Sequence, residues 1–399
     1  MSKTSTLVLA AALAAATLSA QAQITLDGTI TAAEIGTAAG KYQSLGAFTT
    51  AHNPTSGPTG FGNAGLLRMY GANSAAKLYI GIAGTIEASG NNFQLYMDLP
   101  NKTGVPVGTG LPTIAGSSTV FGSFVATDGS THVIGGTKLD LEADVAIATT
   151  GQGNVQAAIY QSATSAVAKS LGSGILTDGT PNTVSNATGD YALFANTRVA
   201  YKQSATGLSG NPGNLNGGGA GSYALEYEFD RTALGLPSGA SIVKVFAAYV
   251  SGDAYWSSDI IPETAGGTQG TVTTGGLNNI GFSPDFTNAT LFPGTQAASV
   301  SVVVLSTRQA DEAVVAMSVF PNPSEGISTV SYQVADAAQA VSVRITDLLG
   351  RTVRTVLDAR QNPGFHDLAV ATSDLSLGTY LVKVQVGDKI ATRRLAVTR

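Results

Sequence analysis

The chain has 399 residues, of which 43% are hydrophobic and only 12% charged, with 48 glycines, no cysteine and a formal net charge of −5. That apolar content supports packed cores and excludes a disordered chain, while the missing cysteine excludes disulfides, thiolate metal sites and a lipid-modified cysteine. The acidity is concentrated before residue 313 and no basic stripe interrupts it, which argues against nucleic acid as a partner.

The first element in chain order is a leader. Lys3 precedes an apolar run from Leu7 to Leu18, and Ala20-Gln21-Ala22 places small residues at the cleavage positions. This pattern predicts a signal peptide at 1–22, cut before Gln23, and Sec export to the periplasm. The run is too short for a membrane span. No later stretch reaches the ~20 apolar residues a span needs, so the mature protein is expected not to be integral to a membrane.

Residues 23–305 read as one large all-β domain, a jelly-roll-like sandwich. "KLYIGIAG" and "NNFQLYMDL" alternate apolar and polar residues with the period of a strand. "KLDLEADVAIA" places Leu139, Leu141, Ala143, Val145 and Ile147 on one face and Asp140, Glu142 and Asp144 on the other. "SYALEYEFD" repeats the arrangement, with Leu225, Tyr227 and Phe229 against Glu226, Glu228 and Asp230. The glycine-rich "GLSGNPGNLNGGGAGS", residues 207–222, is expected to be a flexible connection or a binding loop. One short helix is expected in "DRTALGL", capped by Asp230 and ended by Gly235.

Two features of this domain carry candidate chemistry. Each row of three carboxylates is expected either to face solvent or to hold a hard cation such as Ca²⁺, because aligned like charges repel unless solvated or countered. Neither row is an EF-hand loop, since the required glycine is absent. The second feature is the single tryptophan, Trp256, beside Tyr255. Sugar rings stack on exposed aromatic faces, and strand alternation sends these neighbours to opposite faces. One of them is therefore a candidate glycan platform, with Asp253 and Asp259 as polar contacts.

Catalytic signatures are missing: there is no H-E-x-x-H, no G-x-S-x-G and no phosphate-binding glycine loop. His52 and His132 are isolated and read as surface residues. No pair of carboxylates is singled out as the acid and nucleophile of a glycosidase. "ITLDGTITAAEIG", "KLYIGIAG", "FQLYMDL" and "EYEFDRTALGL" together resemble the sandwich of family 9 carbohydrate-binding modules and the related DOMON-like domains, across roughly residues 24–296. That resemblance implies a fold and no particular ligand.

A polar linker follows at 306–314, and residues 315–399 read as a small immunoglobulin-like sandwich of seven short strands. "VSVRITD" and "TYLVKVQV" alternate cleanly, and "GD" at 387–388 predicts a two-residue hairpin turn with Gly387 at positive φ. "FPNPSEG", "VSVRITDLLGRTVRTV" and "GTYLVKVQVGDKIATRRLAV" resemble, in order, the C-terminal sorting domain (type A) of the type IX secretion system of Bacteroidetes. By position, Pro321, Asn322 and Pro323 carry its early motif. Asp347 and Gly350 carry a middle turn, and Gly378, Tyr380, Gly387 and Lys389 the last hairpin. Pro321 and Pro323 are expected to hold an extended lead-in that cannot pair as a central strand. The resemblance implies the type IX machinery as a partner, and a secreted or cell-surface location. The body is then expected to be a carbohydrate-binding or adhesive cargo with an extracellular glycan as partner. A polysaccharide-degrading enzyme using paired carboxylates and a purely structural surface protein are the alternatives, and the missing catalytic motifs favour binding or structure.

Overall fold

The computed structural model describes residues 24–302 and 315–398, apart from 39, 51, 53–60, 126–127, 237–239, 265–278, 316, 335–336, 349 and 388. The predicted leader and linker lie outside the described residues. The chain divides into two compact units, residues 1–303 and 304–399.

The first unit is built on two seven-stranded sheets whose pairings are all antiparallel. Strands are numbered in chain order. Sheet one runs β11 (Asn182–Thr183), β12 (Arg198–Tyr201), β13 (Ser222–Asp230), β4 (Lys77–Thr85), β3 (Gly65–Asn73) and β2 (Gln43–Ala47), with β1 (Thr29–Ile30) also on β13. Sheet two runs β10 (Ser165–Gly172), β9 (Val155–Ser162), β8 (Val145–Thr150), β5 (Asn92–Asp98), β14 (Ser241–Val250) and β15 (Trp256–Ile261), with β16 (Ala298–Val302) also on β14. A separate hairpin, β6 (Ser123–Val125) and β7 (Thr131–Val133), rises from the β5–β8 connection.

Three hydrophobic layers surround these sheets. The central one packs Leu225, Tyr227 and Phe229 of sheet one with Leu95, Ile147 and Val245 of sheet two. A second layer covers the outer face of sheet two, where Tyr96, Ala148, Tyr160 and Phe246 meet Leu111, Phe121, Leu139 and Phe286 from the long connections. A third covers the outer face of sheet one, where Tyr70, Tyr79 and Ala224 meet Ile24, Ile30 and Tyr42. The central strands of both sheets are thus buried on both faces. A strand in such a place loses the solvated side that its alternating sequence suggests.

Two local expectations change. Residues after Asp230 form turns rather than a helix. Asp230 Oδ1 accepts from the Thr232 and Ala233 amides at 3.0 and 3.1 Å, so the capping chemistry is present, but Gly235 follows too soon for a helix to propagate. The glycine-rich stretch is pinned rather than flexible and contains two 3₁₀ turns, Gly207–Gly210 and Pro212–Asn216. Buried Asn211 anchors it, accepting from the Gly213 and Tyr223 amides and donating to the Gly84 and Tyr223 carbonyls. At Gly218, with φ +76°, an added Cβ would sit 2.6 Å from the Arg68 Cβ, so close approach to β3 demands glycine there.

The second unit has the expected seven strands. Three form one sheet, β17 (Ser318–Phe320), β18 (Ile327–Val334) and β21 (Gly364–Ala371). Four form the other, β20 (Thr352–Gln361), β19 (Gln339–Thr346), β22 (Gly378–Val386) and β23 (Lys389–Val397). Val341, Val343 and Ile345 of β19 and Val382, Val384 and Val386 of β22 fill its core, as their alternation predicts. Gly387 turns at φ +60° between paired Val386 and Lys389.

Candidate functional site

The two carboxylate rows do not form cation cages. Asp140, Glu142 and Asp144 lie outside β8 rather than along a strand, so they do not share a face. Each serves a different backbone amide: Asp140 accepts from Gln296 at 3.1 Å, Glu142 from Gly104 at 3.0 Å and Asp144 from Leu99 at 2.6 Å. Burial pushes the Asp144 carboxyl up to about 6, against the opposing pull of the Leu99 amide. Glu226, Glu228 and Asp230 do lie along β13, but on the covered face. Glu226 is fully buried and accepts from the Tyr42 hydroxyl at 2.8 Å and from the Gly28 and Asp27 amides at 2.7 and 3.2 Å. Burial pushes its carboxyl up to about 8. Glu228 pairs with Arg198 at 3.3 Å, and Asp230 with Lys77 at 3.4 Å. These groups serve as structural acceptors. Among the described residues no three His, Asp or Glu side chains are grouped to hold a metal ion.

Trp256 and Tyr255 do point to opposite faces, but both faces are covered. Trp256 is fully buried in the outer layer of sheet two, its ring 6.1 Å from Tyr96, 6.4 Å from Phe246 and 5.3 Å from Phe286. Tyr255 sits in the central layer against Phe61 and Phe282. Neither offers a stacking face to a sugar. The flanking aspartates have partners that sequence reasoning missed, namely the two histidines read as surface residues. Asp259 is buried and lies 2.7 Å from His52 Nδ1, while also accepting from the Leu66 amide at 2.9 Å. Asp253 faces His132 Nδ1 at 3.8 Å. No local spacing signals either pair, because each joins segments more than a hundred residues apart.

A cleft of this unit lies elsewhere. It measures 380 Å³, within the range of small-ligand sites of about 300–1,000 Å³. Ser117, Thr119, Gln152, Asn154 and Gln156 supply hydroxyls and amides to its wall, and Phe124, 45% exposed, stands at its rim. Among the described residues no charged side chain lines it. Gln156 is partly committed, accepting from the Val120 amide at 2.7 Å. Beside the cleft, Ser130, His132 and Asp253 have the composition of a hydrolytic triad. They do not have its proton path, since Ser130 Oγ donates to Asp128 Oδ1 at 2.6 Å and has no second proton for His132.

In the second unit, the Pro321-Asn322-Pro323 motif forms bends rather than an extended lead-in, and the peptide bonds before both prolines are cis. Between them Asn322 clasps the far edge of β23. Its Nδ2 donates to the Arg394 carbonyl at 2.7 Å, and its Oδ1 accepts from the Ala396 amide at 2.9 Å. Ser324 continues the pairing, its amide donating to Ala396 and its carbonyl accepting from Thr398. An asparagine amide thereby stands in for a residue of added strand. The middle motif is a closed turn in which Asp347 accepts from the Arg351 amide and guanidinium, and the Gly350 amide donates to the Asp347 carbonyl. Gly378 pairs with Val397, and the Tyr380 hydroxyl ties to the Ser376 carbonyl at 2.9 Å.

Residues 318–398 match the family described as the secretion system C-terminal sorting domain. This tail is a type IX sorting domain. A sorting domain directs its chain to secretion or the cell surface, and the machinery that reads it is a partner. No curated protein matches the chain. Among solved structures, it has 11% identity to dimeric latent PorU from Porphyromonas gingivalis, at a TM-score of 0.19, covering 82% of this chain and 32% of that one. The chain thus spans about a third of the length of PorU. It has 15% identity to a tetra-tandem repeat in the extending region of a large adhesion protein, at a TM-score of 0.16, covering 84% and 74% of the two chains. Similarity at these scores carries no argument about the body. Among the described residues no helix is long and apolar enough to cross a membrane. Within this domain the named motif residues form the clasp, the turns and the hairpin described above.

Proposed function

We propose that the protein is a type IX cargo whose body is a non-catalytic binding module for an uncharged glycan, shown at the cell surface or released. The observation that carries this reading is the cleft, whose described lining offers hydroxyl, amide and phenyl groups and no charged side chain. Neutral sugars are held by that chemistry: amides and hydroxyls satisfy ring hydroxyls, and a phenyl face meets axial C–H groups. Phe124 takes the role that Trp256 is too buried to play. A glycosidase needs two carboxyls flanking the bond it cuts, and the cleft lining has none, which favours binding over hydrolysis.

The test is electrophoresis of the mature chain through gels that each contain one neutral polysaccharide. Retardation in at least one gel, reduced about tenfold by Phe124→Ala, is expected, a loss that corresponds to about 1.4 kcal/mol. Retardation in none sinks the reading and leaves a structural surface protein. Because the carboxylates proposed for Ca²⁺ already serve protein donors, a chelator is expected to leave the retardation unchanged. Retardation lost on chelation and restored by Ca²⁺ would reinstate a calcium site.

A further inference from the structure

His132 lies beside the cleft. Ser123 and Phe124 of β6 line the cleft, and His132 of β7 is the register partner of Phe124. Gly252 and Ala254 line it as well, with Asp253 between them in sequence. The His132 ring is packed between Phe124, at 6.4 Å, and Phe282, at 3.9 Å.

The hydrogen bonds fix where the imidazole proton sits. Ser130 gives its only hydroxyl proton to Asp128, so toward His132 its oxygen accepts. Nε2, 3.1 Å away, must therefore carry a proton. In the neutral ring Nδ1 is then a bare lone pair. Among the described residues it is buried without a hydrogen-bond partner, and it faces the Asp253 carboxylate at 3.8 Å. Two acceptors face each other, and what is missing between them is one proton. The charged groups facing His132 among the described residues are Asp253, on the β14–β15 turn, and Asp128, on the β6–β7 turn.

We infer that His132 and Asp253 form a proton-operated latch across the cleft. It deepens the glycan reading and rests on it. When His132 takes its second proton, Nδ1–H donates to Asp253 and ties the β6–β7 hairpin to the β14–β15 turn. Both walls are then held in place before the ligand arrives, and binding is tighter. When the proton leaves, that tie is lost and the walls separate more readily. The cleft therefore binds tightly in acid and weakly in alkali.

The test uses the mature full chain and two readouts. The first needs no ligand: hydrogen exchange of the β6 and β7 amides, corrected for intrinsic rates, at about pH 5.5 and about pH 8. Protection is expected to be about tenfold greater at the acid value in the wild type, the ratio produced by about 1.4 kcal/mol of coupling. It is expected to be equal at the two values in Asp253→Asn and in His132→Gln, which keeps a donor for Ser130. The second readout is polysaccharide retardation, expected to follow the same pattern. His52→Gln serves as control and should leave the wild-type dependence intact. Protection that ignores pH, or keeps its dependence in Asp253→Asn, overturns the latch, as does retardation that is equal or stronger at the alkaline value. Wild-type protection that follows pH while no polysaccharide is retarded at either value upholds the latch and removes the glycan reading instead.

Discussion

Trp256 contacts three aromatic neighbours and no solvent. Its replacement by alanine empties the outer layer of sheet two and is expected to cost about 3–5 kcal/mol, read from the denaturant midpoint. Phe124, at the cleft rim, is expected to behave in the opposite way. Phe124→Ala should leave the midpoint within about 0.5 kcal/mol of wild type while weakening retention. A Trp256→Ala protein that kept its stability and lost only binding would restore the tryptophan as a ligand contact. The two histidine–aspartate pairs show what a single sequence hides at this scale. His52 and Asp259 are separated by 207 residues, and only the fold makes them neighbours.

On β13, alternation is legible in the sequence but the environment of its faces is not. Leu225, Tyr227 and Phe229 face the central layer as their period predicts. The acidic face also reads as solvated, yet the N-terminal segment from Ile24 to Ile30 and Tyr42 lie over it and bury Glu226. That burial has a titration signature. The folded carboxyl, at about 8, lies above its ordinary value of 4.5, so the folded chain holds a proton that the unfolded chain has released. Stability from this group is complete below about pH 4.5 and declines as pH rises toward about 8, by up to about 1.4 kcal/mol per pH unit. Glu226→Gln, neutral at every pH, is expected to flatten the unfolding free energy over that window. An unaltered slope in the variant would assign the pH dependence to other groups. In the tail, the element to test is the clasp. Asn322→Ala removes two hydrogen bonds and is expected to cost about 1–3 kcal/mol, measured as faster hydrogen exchange at the Ala396 amide.

For the whole molecule, the tail was far more legible than the body, and the reason is physical. The tail is a small sandwich whose buried residues follow strict alternation, as in Val341, Val343 and Ile345, and whose turns carry glycine where φ is positive, as at Gly387. The body stacks three hydrophobic layers, and the outer two are closed by long connections such as residues 99–144. Which strand faces those connections cover depends on contacts between distant segments, which local periodicity does not encode. Removing residues 318–398 is expected to leave the body within the periplasm, detected by fractionation of cells making the truncated chain. Truncated protein that still reached the cell surface or the medium would show a second export signal in the body.

The asparagine clasp has a consequence for how the tail is made. Residue 322 is synthesised more than seventy positions before the strand it grips, so the PNP motif emerges with nothing to hold until Arg394 and Ala396 have been added. A chain broken off earlier carries the motif without the architecture. The clasp can therefore close only in a tail that extends unbroken from Pro321 through Ala396.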